Sequence, residues 1–334
     1  MDITIATMDD VDALMQYIKN EWKVDHILAL SREYLCYEYQ EGQFLNFVLA
    51  KDRESKIIGM LGFIRAGDIQ DGIWTTMWKA SKCSSDPLLG IRLLEYLRNH
   101  SNSPVMSLGI NLKTIPIYKY LGFHTGRLDH YFIKNPLIFD FKIGQFPCGL
   151  DYNSSVTISQ IYNVLPIDLS NICEKSYFNM QSDHFPRKSF SYFVRKYFNN
   201  PIYNYSVFGA FLDGKLRAIM VARICKFNTS SCIRIVDFMG EDQALPSISQ
   251  VFISLMRRNM YEYIDFYCAG IAKEILLAAG FSDVREFDDR VIVPNYFEPF
   301  VKSNVNINYF VERFVPNLRF FKSDGDQDRP SMCI

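Results

Sequence analysis

The chain has 334 residues, 49% of them apolar, 22% charged and 15% aromatic, and its 36 basic and 37 acidic side chains leave a net charge of −1. That length exceeds one ordinary core and suits two domains of roughly 150 residues each. The balanced charge argues against a nucleic-acid partner, whose phosphates are usually met by a basic excess.

The opening "MDITIATMDDVDALM" is acidic where a secretory leader needs positive charge, and no stretch holds about 18 uninterrupted apolar residues. A cytoplasmic protein with no membrane partner is expected. The eight cysteines (36, 83, 148, 173, 225, 232, 268, 333) form no C-x-x-C pair and mostly sit in apolar runs such as "IDFYCAG". Reduced, mostly buried thiols and no metal site are expected.

In chain order the predicted elements begin with a strand, "DITIA", and a helix, "VDALMQYI", entered through the acidic turn "TMDD". A polar, aromatic-rich helical segment follows. Two alternating strands, "LAKDRESKIIGMLGFI", precede a further strand, "DGIWTTMWKAS", and an amphipathic helix, "LLGIRLLEYLRNH". The strand "VMSLGIN", a short helix and more strands complete the unit. The same order then returns: "VTISQI", "LPID", "LSNICEKSYF", "GAFLDGKLRAIMVARI", "SCIRIVDFMG", "LPSISQVFISLMRRN", "EYIDFYCAG" and "KEILLAAGF". The register is 158 residues, pairing Asp25 with Asp183, His26 with His184, Ser31 with Ser189, Tyr34 with Tyr192, Asn46 with Asn204, and Gly122-Phe123 with Gly280-Phe281. Each unit is expected to be a mixed sheet flanked by helices. The expected boundaries are a first domain at 1–135, a Pro/Gly/Asn-rich linker at 136–154, a second domain at 155–322 and a polar, flexible tail at 323–334.

Asn111, Thr114, Tyr118, Gly122 and Phe123 compose N-x-x-T-x-x-x-Y-x-x-x-G-F after the fifth strand, and a helix starts after the fourth. This arrangement resembles the GNAT superfamily of acyl-CoA-dependent N-acyltransferases. The resemblance implies an α/β fold of two tandem GNAT-like domains, the second degenerate, with acyl-CoA as co-substrate. It implies that Tyr118 protonates the departing thiolate and that Asn111 contacts pantetheine or substrate. The family's helix-start signature, Q/R-x-x-G-x-G/A, is met in part. Ser85 stands at its first position, Leu88 replaces a glycine and Gly90 keeps the last. Ser85, Leu88, Leu89, Gly90 and Ile91, with Trp78 on the preceding strand, are the expected cofactor-binding residues, because backbone N–H groups at a helix start can meet a pyrophosphate.

The phrases "GINLKTIPIYKYLGFHTGRLDHYFI" and "LNFVLAKDRESKIIGMLGFI" look like GNAT enzymes that N-acylate nucleotide-linked amino sugars for bacterial surface polysaccharide, as in O-antigen and lipopolysaccharide biosynthesis. The partner so implied is a nucleotide-linked amino sugar, dTDP- or UDP-linked. His130 is then a candidate base or sugar ligand, and His26, Arg32, Glu38 and Arg187 are candidate acceptor contacts. Bland roles stand beside these: Asn111 as a helix cap, His130 as a packed strand residue, and His26 as a folding residue, since His184 repeats it. Other readings keep the fold with another small amine or a peptidoglycan precursor as acceptor, or make the chain a non-catalytic binding module. A homo-oligomer is compatible with the sequence.

Amine attack on a thioester needs a neutral amine and a protonated leaving thiolate. An amine of pKa ~8 costs about 1.4 kcal/mol to deprotonate at neutral pH, against about 4.6 for one of ~10.4, so a dedicated base is optional. In register, Ala269, Leu276 and Ile248 replace Asn111, Tyr118 and Gly90. The second copy is therefore expected to be catalytically silent and to shape the acceptor site, while the first binds acyl-CoA.

Overall fold

Alternation along "FLNFVLAK" sends neighbouring side chains to opposite faces of a sheet, and that rule builds the first half of the molecule. The computed structural model describes residues 1–332 apart from Cys83, Ser154 and Ser182. It divides into one unit of Met1–Gly126, Asn308–Phe314 and Gly325–Ile334 and a second of Arg127–Ile307 and Val315–Asp324.

The first unit runs β1 (Asp2–Thr7), α1 (Val11–Tyr17), α2 (Ile27–Leu30), α3 (Arg32–Tyr39), β2 (Phe44–Lys51), β3 (Ile57–Arg65), β4 (Ile73–Ala80), α4 (Leu89–Ser101), β5 (Val105–Leu108), α5 (Ile115–Tyr120) and β6 (His124–Arg127). Val48 and Ala50 of β2 join Leu89, Leu93, Leu94 and Leu97 of α4 in one core, while Phe47 meets Tyr39 of α3 on the other face, ring centroids 4.5 Å apart. Strands β4 and β5 are parallel, and they pair only at Ile73–Val105, Trp74–Met106 and Thr75–Ser107. Beyond Thr75, β4 continues to Ala80 with no partner on that side among the described residues, so the sheet parts.

The second unit takes β7 (Asp129–Lys134), then β8 (Asn163–Pro166), α6 (Glu174–Asn179), α7 (Phe190–Phe193), β9 (Ser206–Leu212), β10 (Lys215–Phe227), β11 (Ser230–Gly240), α8 (Leu245–Arg258), β12 (Tyr263–Ala269), α9 (Lys273–Ala278) and β13 (Ser282–Asp283). Its parallel pair, β11 and β12, is joined over Ile233–Ile264, Arg234–Asp265 and Ile235–Phe266. Two late strands complete the sheets: β14 (Asn308–Val311) in the first and β15 (Phe320–Phe321) in the second.

The repeat is written into the backbone. Helices α5 and α9 both end in a Schellman motif, with Phe123 N–H donating to the Tyr118 carbonyl and Phe281 N–H to that of Leu276, at 2.9 and 3.1 Å. Gly122 and Gly280 hold φ of +85° and +86° there, a conformation that a β-carbon would strain. Ser31 and Ser189 likewise both cap a helix, accepting from Tyr34 N and Tyr192 N at 3.1 Å.

Three expectations need correction. The first domain ends near residue 126 rather than 135, because β7 forms six antiparallel pairs with β12, from Asp129–Cys268 to Lys134–Tyr263, and so belongs to the second sheet. In return, β14 pairs with β5 in the first sheet. The second copy opens at β8 rather than at "VTISQI", where no strand forms. The expected flexible tail is packed over its described residues: Ser323 and Asp324 are fully buried in the second unit, and residues 325–332 belong to the first. Cys225, Cys232 and Cys268 are buried, Cys36 is half-buried, and Cys148 and Cys173 are exposed; Cys83 and Cys333 lie outside the described residues. Among the described residues, no helix is long and apolar enough to cross a membrane.

Candidate active site in the first unit

The parting of β4 from β5 places a buried tyrosine at the sheet's opening. Tyr118, on α5, is 4% exposed and packs against Phe310, Trp78 and Phe123, with centroids 4.4, 5.9 and 6.1 Å away. Burial pushes its hydroxyl up to about 12, and a hydrogen bond with Thr114 opposes that rise. Thr114 is positioned by Asn111: its N–H and its Oγ1 both donate to the Asn111 carbonyl, at 2.9 and 2.7 Å. Asn111 itself is exposed, and its Oδ1 accepts from Lys113 N at 2.9 Å. In this structure the Asn111 side chain caps the short helix that leads into α5.

The start of α4 carries the other half of the site. Its first helical bond runs from Arg92 N to the Leu88 carbonyl, so the N–H groups of Gly90 and Ile91 precede the ladder. Such orphan donors favour an anion. Trp78 Nε1 donates to the Gly90 carbonyl at 3.1 Å, and a β-carbon on Gly90 would come to 3.4 Å from that nitrogen. Leu88 points outward, 53% exposed, and Ser85 is exposed. Leu89 is different: its side chain is fully buried in the core against Gly59, so it anchors the helix instead of facing a ligand. Asp86, which no spacing in the family pattern marks, accepts from Leu88 N at 2.9 Å and pairs with Arg92 Nε at 2.9 Å. A carboxylate thus sits at the helix start with its own arginine.

Other expected residues have different occupations. His26 is buried, and its Nδ1 accepts from Leu28 N at 3.2 Å as the cap of α2. Burial first, then the charges of Arg329 and Lys23, hold it at about 3, so it is neutral and structural. Arg32 pairs with Asp12 at 2.5 Å on an exposed surface. Glu38 is bonded to Arg329 at 2.8 Å. His130 lies on β7, in the second unit, 7% exposed and stacked on Tyr267 at 3.7 Å; its Nε2 is 3.6 Å from Asp265 Oδ2 and burial depresses its pKa. His130 is thus packed within the second sheet, between Tyr267 and Asp265. Arg187 is also in the second unit, with its guanidinium 5.0 Å over the Phe178 ring.

The second unit has a matching parallel pair, but its opening is closed. Strand β15 pairs with β12 at Cys268–Phe321 and Ala269–Phe320, and Ser323 N donates to the Val236 carbonyl of β11 at 2.9 Å. Phe321 lies parallel to Phe266 at 5.8 Å. Lys188, buried between Asp237 and Asp324 at 2.6 Å each, and Tyr197, 2.5 Å from Asp237 and from Ser323, lock this plug.

No family model matches the chain, and no curated protein sequence does. Solved structures do. A GCN5-related N-acetyltransferase from Anabaena variabilis matches 93% of this chain and 72% of its own, with a TM-score of 0.60 at 12% identity. A conserved Enterococcus faecalis protein of unknown function, described as a probable N-acyltransferase, matches 94% and 73%, with a TM-score of 0.56 at 10% identity. At such identities the likeness is one of fold: mixed sheets flanked by helices, matching two tandem GNAT-like domains.

Proposed function

We propose that the first unit transfers an acyl group from acyl-CoA to an amine. One observation carries the reading: two parallel strands part beside a buried tyrosine in the first unit, where the segment that crosses the opening adds no strand, whereas in the second β15 pairs with β12 inside the same opening. Bound acyl-CoA would supply an activated thioester and a thiol leaving group. The Gly90 and Ile91 N–H groups, in a helix start steadied by Trp78, suit its phosphates. Tyr118, held at about 12, stays protonated. Full proton transfer from it to a thiolate of pKa ~8.5 would cost about 5 kcal/mol, so its role is to donate a hydrogen bond to the developing charge.

Amino-deoxysugars linked to dTDP or UDP, the acceptors implied by the resemblance read in residues 109–133 and 45–64, are the first to test. The test is equilibrium dialysis with acetyl-CoA and longer acyl-CoAs, followed by a thiol-release assay against those sugars, polyamines and amino acids. Absence of acyl-CoA binding ends the proposal, and binding without turnover on any amine makes the chain a binding module. Tyr118→Phe is expected to lower kcat by about 10²-fold with acyl-CoA affinity retained. Unchanged turnover removes Tyr118 from the chemistry.

A further inference from the structure

Glu38 and Tyr39 close α3 on the face of the first sheet that lies opposite α4. Tyr39 is fully buried, and its hydroxyl donates to Thr76 Oγ1 of β4 at 3.0 Å, one residue beyond the last β4–β5 pair. The Glu38 side chain is 13% exposed. A carboxylate so far withdrawn from water requires a cation.

The cation present is Arg329. Its Nη1 donates to Glu38 Oε2 at 2.8 Å and to Tyr39 Oη at 2.7 Å, and its Nη2 donates to Asp326 Oδ2 at 2.8 Å. It reaches that place because the C-terminal segment crosses the opening of the sheet. Gly325 lies against Trp74, where a β-carbon would be 3.5 Å from the Trp74 Cβ and 3.7 Å from the first indole carbon, Cγ, and Gln327 Nε2 donates to the Leu108 carbonyl at 3.3 Å. The segment adds no strand to the sheet there; its described ladder contact is the single bridge His26–Met332.

The second copy shows what a permanent arrangement looks like. Tyr197 stands 158 residues after Tyr39 and also bonds the neighbouring strand, through Asp237, and the incoming late segment, through Ser323. There the cation is Lys188, set before α7 and almost wholly buried. One unit therefore carries its cation within its body, and the other takes it from the last residues of the chain.

We propose that Glu38, Tyr39 and Thr76 form a seat for a cationic group of the acceptor, a guanidinium or ammonium separate from the amine that reacts, and that Arg329 fills it as an intramolecular stand-in. This rests on amine acylation by the first unit, and it favours acceptors with two charged nitrogens. Departure of the segment uncovers the opening and leaves a buried carboxylate that the acceptor's cation neutralises.

Agmatine, which carries a guanidinium and a primary amine, is the probe. It is titrated calorimetrically into the full-length protein, into Arg329→Ala and into Arg329→Ala/Glu38→Gln. Arg329→Ala is expected to bind it at least about tenfold tighter than the unaltered chain, a gain of about 1.4 kcal/mol, and the double variant is expected to lose that gain. Equal affinity in the unaltered and Arg329→Ala proteins, or a gain that survives Glu38→Gln, overturns the seat. Should Arg329→Ala not fold, Arg329→Gln keeps a hydrogen-bonding side chain without the charge, and the same two results decide. The titration needs no acyl-CoA, so failure to bind acetyl-CoA counts against acyl transfer alone.

Discussion

His26 makes stability depend on pH in a way that can be measured. Its imidazole is lowered from 6.5 to about 3, chiefly by burial, then by Arg329 and Lys23. The folded protein therefore binds this proton more weakly than the unfolded chain. The stabilisation is complete above the unfolded value and drains away as pH falls from there toward the folded one. With those two values, linkage removes about 2 kcal/mol between about pH 7.5 and about pH 5. His26→Asn keeps an acceptor for Leu28 N and cannot titrate. Urea unfolding of both proteins at the two pH values isolates the term. The unaltered protein should lose about 2 kcal/mol more than His26→Asn on acidification. Parallel losses would show that His26 is not the buried neutral cap described here.

Two further perturbations test the same picture. Lys188→Met leaves Asp237 and Asp324 facing each other without a cation, both fully buried, and should cost about 3–5 kcal/mol in urea unfolding. Adding Asp324→Asn should restore part of that loss, and no restoration would contradict the cluster's role in closing the second unit. Asp86→Asn removes a negative charge from the start of α4 and releases Arg92. Acyl-CoA should then bind about fivefold tighter in dialysis, about 1 kcal/mol, and weaker binding would place the phosphates elsewhere.

Much of the architecture was legible because it is local. The shift of 158 residues predicts matched helix ends, and the Schellman motifs at Gly122 and Gly280 have matched geometry. The helix of α4 and the flanking strands follow from periodicity. What the sequence hides is long-range. "DHYFI" reads as a strand from its alternation, but nothing in it names the sheet, and β7 pairs with β12 some 135 residues later. His130 is consequently set against Asp265 and Tyr267, partners no spacing rule reveals. The polar tail suggests fraying by composition, yet Arg329 finds Glu38 and Tyr39 nearly 300 positions upstream, and one buried ion pair outweighs a weak apolar pattern. At the helix start the family pattern marks Leu88, which faces solvent, whereas Asp86 and Arg92 set the local charge.

The central claim is that acyl-CoA belongs to the first unit. Hydrogen exchange with and without saturating acetyl-CoA tests it most directly, since protection maps onto backbone segments. The account predicts protection confined to residues 85–91 at the start of α4 and 109–118 around Asn111 and Tyr118, with residues 236–248 of the second unit unchanged. Protection of residues 236–248 without that of 85–91 would contradict it.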